Sequence, residues 1–256
     1  MYFNNPLIEA VRRQQRAIER ITRSMNQVNL IHARLVEPYI KARKMMETII
    51  KTIDEFEELL SELNYPPIPN MYGSDMRYII EKLNELEATE EKVRLLDEYI
   101  ILRFNTEKVD QRIRIWNGYS WLENRNVVLE QIAEAHKQGL YFLSVLAVFP
   151  QVEGMLAELF PDKRNDKGEF TTKHLKQSFK EILEVQCDKS DQQWDKFYRE
   201  NLLKGFTHDD PIDYLSRHAL AHGKSFEYGT EVNSIKSFII LDYIINKINN
   251  YREGSS

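Results

Sequence analysis

A chain of 256 residues, 42% hydrophobic and 29% charged, has enough apolar material to bury one large core or two smaller ones, without the composition of a disordered chain. Its single cysteine, Cys187, permits no internal disulfide and no four-thiolate zinc site, which fits a reducing compartment. The formal charge of -5 argues against non-specific coating of nucleic acid, which depends on neutralising many phosphates; a local basic cleft stays open to it.

The opening, MYFNNPLIEAVRRQQRAIER, lacks the basic-then-apolar order of a secretory signal and reads as the start of a helix. From Asn5 to about Leu63 apolar residues recur at helical intervals, as in Ala42, Met45, Ile49 and Ile53. This predicts two or three long helices, bent or broken near Pro38. The cluster YPPIPN (65–70) ends that pattern, because closely spaced prolines remove donors and disfavour helix before them. A second helical block starts near Ser74 and carries the series Ile79, Leu83, Leu86 and Val93, Leu96, Ile100, with charges opposite. Residues 1–120 are therefore expected to form a helical N-terminal region, a coiled-coil-like arm or a bundle.

Between Asn105 and Asn126 the text changes to NTEKVDQRIRIWNGYSWLENRN. Asn117-Gly118 marks a turn, and Trp116, Tyr119 and Trp121 are expected to seal the joint between the two halves. The competing reading makes those rings, with Arg112, Arg114 and Arg125, an RNA-facing patch.

Residues 126–252 form the second expected unit. A helix is predicted near 126–148, and the apolar run GLYFLSVLAVFP (139–150) reads as a buried helix segment too short to cross a bilayer. Pro150 predicts a bend or restart, and Glu153 stands in apolar surroundings. Helices follow at about 171–185 and 190–204, then one opened by Asp209-Asp210-Pro211, then VNSIKSFIILDYIINKI with one apolar face. No strand-turn-strand signal competes, so the fold class is all-α and the expected location is cytoplasmic, with no membrane.

The stretch DDPIDYLSRHALAHGK (209–224) places an arginine and two histidines within six residues. Asp210-Pro211 suits a helix start and Gly223 a stop. His218 and His222, four apart, share a face. Arg217 and His222, five apart, diverge by roughly 140° on an ideal helix, so a long reach, a distorted helix end or a second subunit must bring them together. Such a set suits RNA cleavage: an imidazole moves a proton to or from the ribose, and the guanidinium holds the phosphate as charge develops. The bland alternative is an ordinary helix C-terminus, where Arg and His meet the dipole. A metal site from His218, His222 and one of Asp209, Asp210 or His208 lacks the glutamate that HExxH enzymes use as a base. His32, His136, His174 and His208 are isolated and expected to be structural.

The Arg217-His218-Ala219-Leu220-Ala221-His222 run, followed by Gly223, resembles the Arg-x4-His signature of the HEPN superfamily, helical domains of many prokaryotic RNases, toxins and phage-defence proteins. NSIKSFIILDYI (233–244) is similar to the final helix of those domains, and the Leu143–Leu159 region with VEGMLAEL to an earlier core helix. The resemblance spans about 126–250 and implies a C-terminal HEPN-like bundle. It implies a metal-independent endoribonuclease without a cofactor that leaves a 2',3'-cyclic phosphate, acting on RNA such as tRNA in antiphage defence or a toxin-antitoxin system. Arg217 would contact the phosphate, His222 would supply acid-base function and His218 would tune it, with Ser216, Lys224 and Ser225 as RNA contacts. A homodimer with facing motifs is also implied. The resemblance does not extend to residues 1–120, whose long amphipathic helices are open to three roles: enlarging the dimer interface, restraining the active site until an infection signal arrives, or binding a regulatory partner such as an antitoxin. The rival expectation is a non-catalytic RNA-binding or protein-interaction module, in which Arg217 and His222 lie outside a shared cleft or are tied up by carboxylates.

Overall fold

The computed structural model describes residues 6–25, 33–69, 71–184, 189–204, 215–223 and 226–254. Among these every regular element is helical, as the periodicity predicts. The helices are α1 (Pro6–Met25), α2 (Ala33–Glu62), α3 (Gly73–Asn84), α4 (Thr89–Arg103), α5 (Thr106–Trp116), α6 (Asn126–Lys137), α7 (Tyr141–Leu159), α8 (Thr172–Glu184), α9 (Lys189–Phe197), α10 (Arg217–Ala221) and α11 (Glu231–Gly254).

The end of α2 follows its local chemistry. Asn64 takes a left-handed φ of 54°, the Tyr65 N–H donates to the Leu60 carbonyl at 2.8 Å, and prolines follow. A break near Pro38 and a restart at Pro150 are not found. Pro38 does not break α2: it lies in the helix's second turn, where it deletes only one ladder bond. Pro150 likewise sits inside an unbroken α7, whose neighbouring Phe149 and Val152 are anchored in the core. The interruption comes earlier, at Gly139 with φ +74°, where the Leu140 N–H reaches back to the Ala135 carbonyl at 2.8 Å and closes α6. The apolar run that starts there is only partly buried. Val145, Val148 and Phe149 are inside, whereas Phe142, Leu143 and Leu146 are exposed. At 19 residues α7 is long and apolar enough, by length and composition, to cross a membrane. In this fold it packs against α6, α8, α10 and α11.

A continuous core runs from Ile53 to Ile248, and helices from both sides of residue 120 contribute to it. α11 contacts α4, α7 and α8, and α2 contacts α9. The joint is sealed by the aromatic segment, as its composition suggests. Trp116 donates its indole N–H to Asp242 at 2.8 Å, Tyr119 donates to Asn246 at 3.3 Å, and Trp121 donates to Asn249 at 3.2 Å. Arg112 lies 3.3 Å from Asp242, and Arg125 bridges Gln151 and Glu158, so only Arg114 of the three arginines is left exposed. α11 is buried nearly all round rather than on one face, which forces its charges into pairs. Lys247 meets Asp191 at 2.6 Å, and Asp191 also accepts from Tyr243 at 2.7 Å.

Burial pushes the Asp242 carboxyl up to about 6, against the opposing pull of Arg112, Trp116 and Asn246. The folded state therefore binds this proton more tightly than the unfolded chain, and stability falls as pH rises through about 4 to 6. Urea-unfolding midpoints taken across that window should show the wild type losing ground to Asp242→Asn with rising pH; a constant gap between the two proteins would refute the assignment.

Candidate functional site

Leu215 and Ser216 approach α10 outside the helix, with Ser216 at φ -81° and ψ 116°. A continuous helix from Asp210-Pro211 to His222 is thus not formed; the proposed start itself, Asp209 to Pro211, lies outside the described residues. Ser216 is the cap instead. Its hydroxyl accepts from the Ala219 N–H at 3.3 Å and donates to the Lys204 carbonyl at 3.3 Å. Fully buried, it positions the helix and does not face a substrate, which corrects its reading as an RNA contact. Lys224 and Ser225 lie outside the described residues. Gly223 does end the helix, at φ +65°, with its N–H on the Leu220 carbonyl at 3.2 Å.

Five residues cannot hold a helix by themselves. Ala219 and Leu220 bury against the body of the protein, and Arg217 reaches Glu153 on α7. The pair is bidentate: Nη2 donates to one carboxylate oxygen at 2.6 Å and Nε pairs with the other. Each side chain keeps about a quarter of its surface, 23% for Arg217 and 25% for Glu153. Arg217 Nη1 lies 3.3 Å from His218 Nε2 and 3.4 Å from Nδ1. Near-equal distances to both ring nitrogens place it across the imidazole instead of in line with either lone pair. His218 Nε2 also sits 3.3 Å from the Thr172 hydroxyl of α8. Burial first, then the charges of Arg217, His222 and Lys176, hold the His218 pKa below its ordinary value, so its ring is neutral near pH 7. His222 caps the C-terminal end of α10 and is exposed.

The cavity flanking this pair, lined by Phe149, Tyr198 and Ile240 among others, measures about 10 Å³, at most the space of one water. Glu153 is the partner that local sequence did not identify. Its only signal was a carboxylate in apolar surroundings, which must find a donor when partly buried. Thr172 carried no signal.

The other histidines are structural where described. His136 is buried, with Nδ1 2.8 Å from the Ser234 hydroxyl and a pKa lowered by burial, and His174 accepts from the Thr171 N–H at 3.1 Å. His32 and His208 lie outside the described residues. Among the described residues no group of three or more His, Cys, Asp or Glu is placed to hold a metal ion. The chain matches no protein-family model, no curated protein and no solved structure.

The stacking of Arg217 on His218 has a measurable consequence. In NMR titrations His218 should lose its proton below the ordinary histidine range, and Arg217→Ala should move that midpoint upward by removing the adjacent positive charge. A midpoint unchanged by the substitution would place the guanidinium elsewhere in solution.

Proposed function

We propose that this chain is a metal-independent endoribonuclease that cleaves RNA by attack of the ribose 2'-hydroxyl on the adjacent phosphorus. The observation that carries the reading is the juxtaposition on one short helix of the Arg217 guanidinium with the neutral imidazole of His218 and, at the helix end, the exposed imidazole of His222. A fixed cation next to two proton carriers suits a reaction in which charge builds on a phosphate while protons move on and off sugar oxygens. His222 takes the 2'-hydroxyl proton or returns one to the leaving 5'-oxygen, and Arg217 stabilises the pentacoordinate phosphorus. The products are a 2',3'-cyclic phosphate and a free 5'-hydroxyl, with no metal or cofactor consumed.

The bond from Arg217 to Glu153 leaves three of the five guanidinium N–H donors for a substrate. The phosphate arrives over His218 and His222. A homodimer with the two short helices facing each other would supply a base on one side of the phosphate and an acid on the other. The HEPN resemblance supports this arrangement, and with it the roles in antiphage defence or a toxin-antitoxin system and tRNA among the substrates; a cytoplasmic setting rests on the single cysteine and the opening of the sequence, and an antitoxin or regulator acting through residues 1–120 is a separate part of the proposal that the resemblance does not reach.

A second reading is favoured by the bidentate Glu153 clamp. If Glu153 neutralises Arg217, α10 becomes part of a non-catalytic RNA-binding or protein-interaction module. A metal-dependent hydrolase using His218 and His222 is the third, and chelator tests it.

Purified protein should cleave cellular RNA and tRNA in EDTA, with His222→Ala and Arg217→Ala each reducing the rate by about 100-fold or more while remaining folded. Glu153→Gln separates the first two readings. A positioning role predicts slower cleavage with RNA affinity little changed. The binding module predicts no cleavage by any variant and tighter RNA binding once the carboxylate charge is gone.

A further inference from the structure

A second cleft shares chain segments with the candidate site. It has a volume of about 530 Å³, within the range that holds small organic ligands, and opens between the end of α2, the start of α4, the end of α9 and the first turns of α11. Three links tie it to Arg217. Leu215 lines the cleft, two residues before the arginine. Phe197 lines it while Tyr198 lines the small cavity at Arg217, and Lys236 lines it one helical turn, about 6 Å, from Ile240 of that cavity.

The lining states what can bind. Lys236 forms the floor, but its Nζ is already held by Asp97 at 2.8 Å and lies 4.2 Å from the centre of the Tyr65 ring, while the Tyr65 hydroxyl donates to the same Asp97 at 2.7 Å. The inner cation is therefore committed. Glu62 and Glu90 add carboxylates, and against them stands Arg94, whose nearest carboxylate, Glu98, is 3.9 Å away. Three carboxylates against two cations leave the lining at formal charge -1, a poor host for a phosphate. Between apolar walls supplied by Val93, Phe197 and Leu215, the carboxamides of Asn64 and Asn233 have no protein partner among the described residues. Carboxamides offer donor and acceptor together, and carboxylates accept base N–H groups.

We propose that this cleft is a base-binding subsite that takes one neutral nucleobase between its apolar walls and reads the edge with Asn64 and Asn233. Resting on the ribonuclease reading, the base it takes in RNA is an unpaired one next to the phosphate held at Arg217, with Arg94 at the rim toward the flanking backbone. The cleft then sets the sequence preference of cleavage.

Calorimetric titration of the full chain with guanosine, adenosine, cytidine, uridine and their 5'-monophosphates tests this. At least one nucleoside should bind one to one, more tightly than its monophosphate, and at least 10-fold more weakly after Asn233→Leu or Asn64→Gly. Glycine keeps the left-handed backbone at position 64 and removes only the carboxamide, so that variant stays informative if the first misfolds. No binding of any nucleoside at millimolar concentration, tighter binding of the monophosphate, or binding indifferent to both variants overturns the proposal. The assay needs no cleavage. Nucleoside binding without ribonuclease activity keeps the cleft and removes the enzyme, whereas cleavage without nucleoside binding removes the cleft alone.

Discussion

Burial of α11 is the constraint on which the rest of the fold depends. From Ser234 to Ile248 only Lys236 falls short of full burial, yet the helix carries Asp242, Asn246 and Lys247 in that stretch. A buried charge without a partner costs several kcal/mol (roughly 3–5 when one member of a pair is removed), so each neighbouring helix must arrive with the right group at the right turn. α5 brings Arg112 and Trp116 to Asp242, α9 brings Asp191 to Lys247, and α4 brings Asp97 to Lys236. Such pairs add little net stability over apolar packing. What they supply here is register: a shift of any of these helices by one turn would leave two charges stranded.

That register carries through to the site. α7 packs against α11 and α6, with Val145, Val148 and Val152 buried, and its Glu153 reaches Arg217 of α10. α10 then needs only a short stretch of chain: a serine cap, two buried apolar residues and one bidentate ion pair. The cleft is fixed by the same logic, since its floor is the Lys236–Asp97 pair that joins α11 to α4.

Periodicity made the helical class and the end of α2 legible, because those depend on side chains three and four residues apart and on turn residues. It allowed a break near Pro38 and a restart at Pro150, and α2 and α7 run through both positions. At Pro150 the proline signal was weighed as though the helix stood alone, whereas its cost, about 3 kcal/mol from a lost ladder bond and a ring clash, is offset by the packing of a helix anchored by Phe149 and Val152. Gly139, which does stop a helix, was hidden at the head of an apolar run. At the site, spacing placed His222 and Gly223 correctly at a helix end. The start of that helix and the role of Ser216 were not legible, and neither was Glu153 as partner. That contact joins residues 64 apart, and no local pattern encodes which of several carboxylates will be delivered there.

The clamp also decides how a phosphate would have to be bound. Glu153 occupies Nε and one N–H of Nη2, leaving Nη1 as the open edge of the guanidinium, and that edge lies over the His218 ring. An anion reaching Arg217 must therefore displace or share the imidazole, which couples the position of His218 to substrate arrival. The carboxylate cancels part of the arginine's field, so attraction for an anion must come from the surroundings. Lys176 is close enough to His218 to disfavour its protonated form, and the same charge favours an anion placed there. One α10 contributes a single such cluster; if two copies faced each other as proposed, the positive field around one phosphate would double without any new residue type.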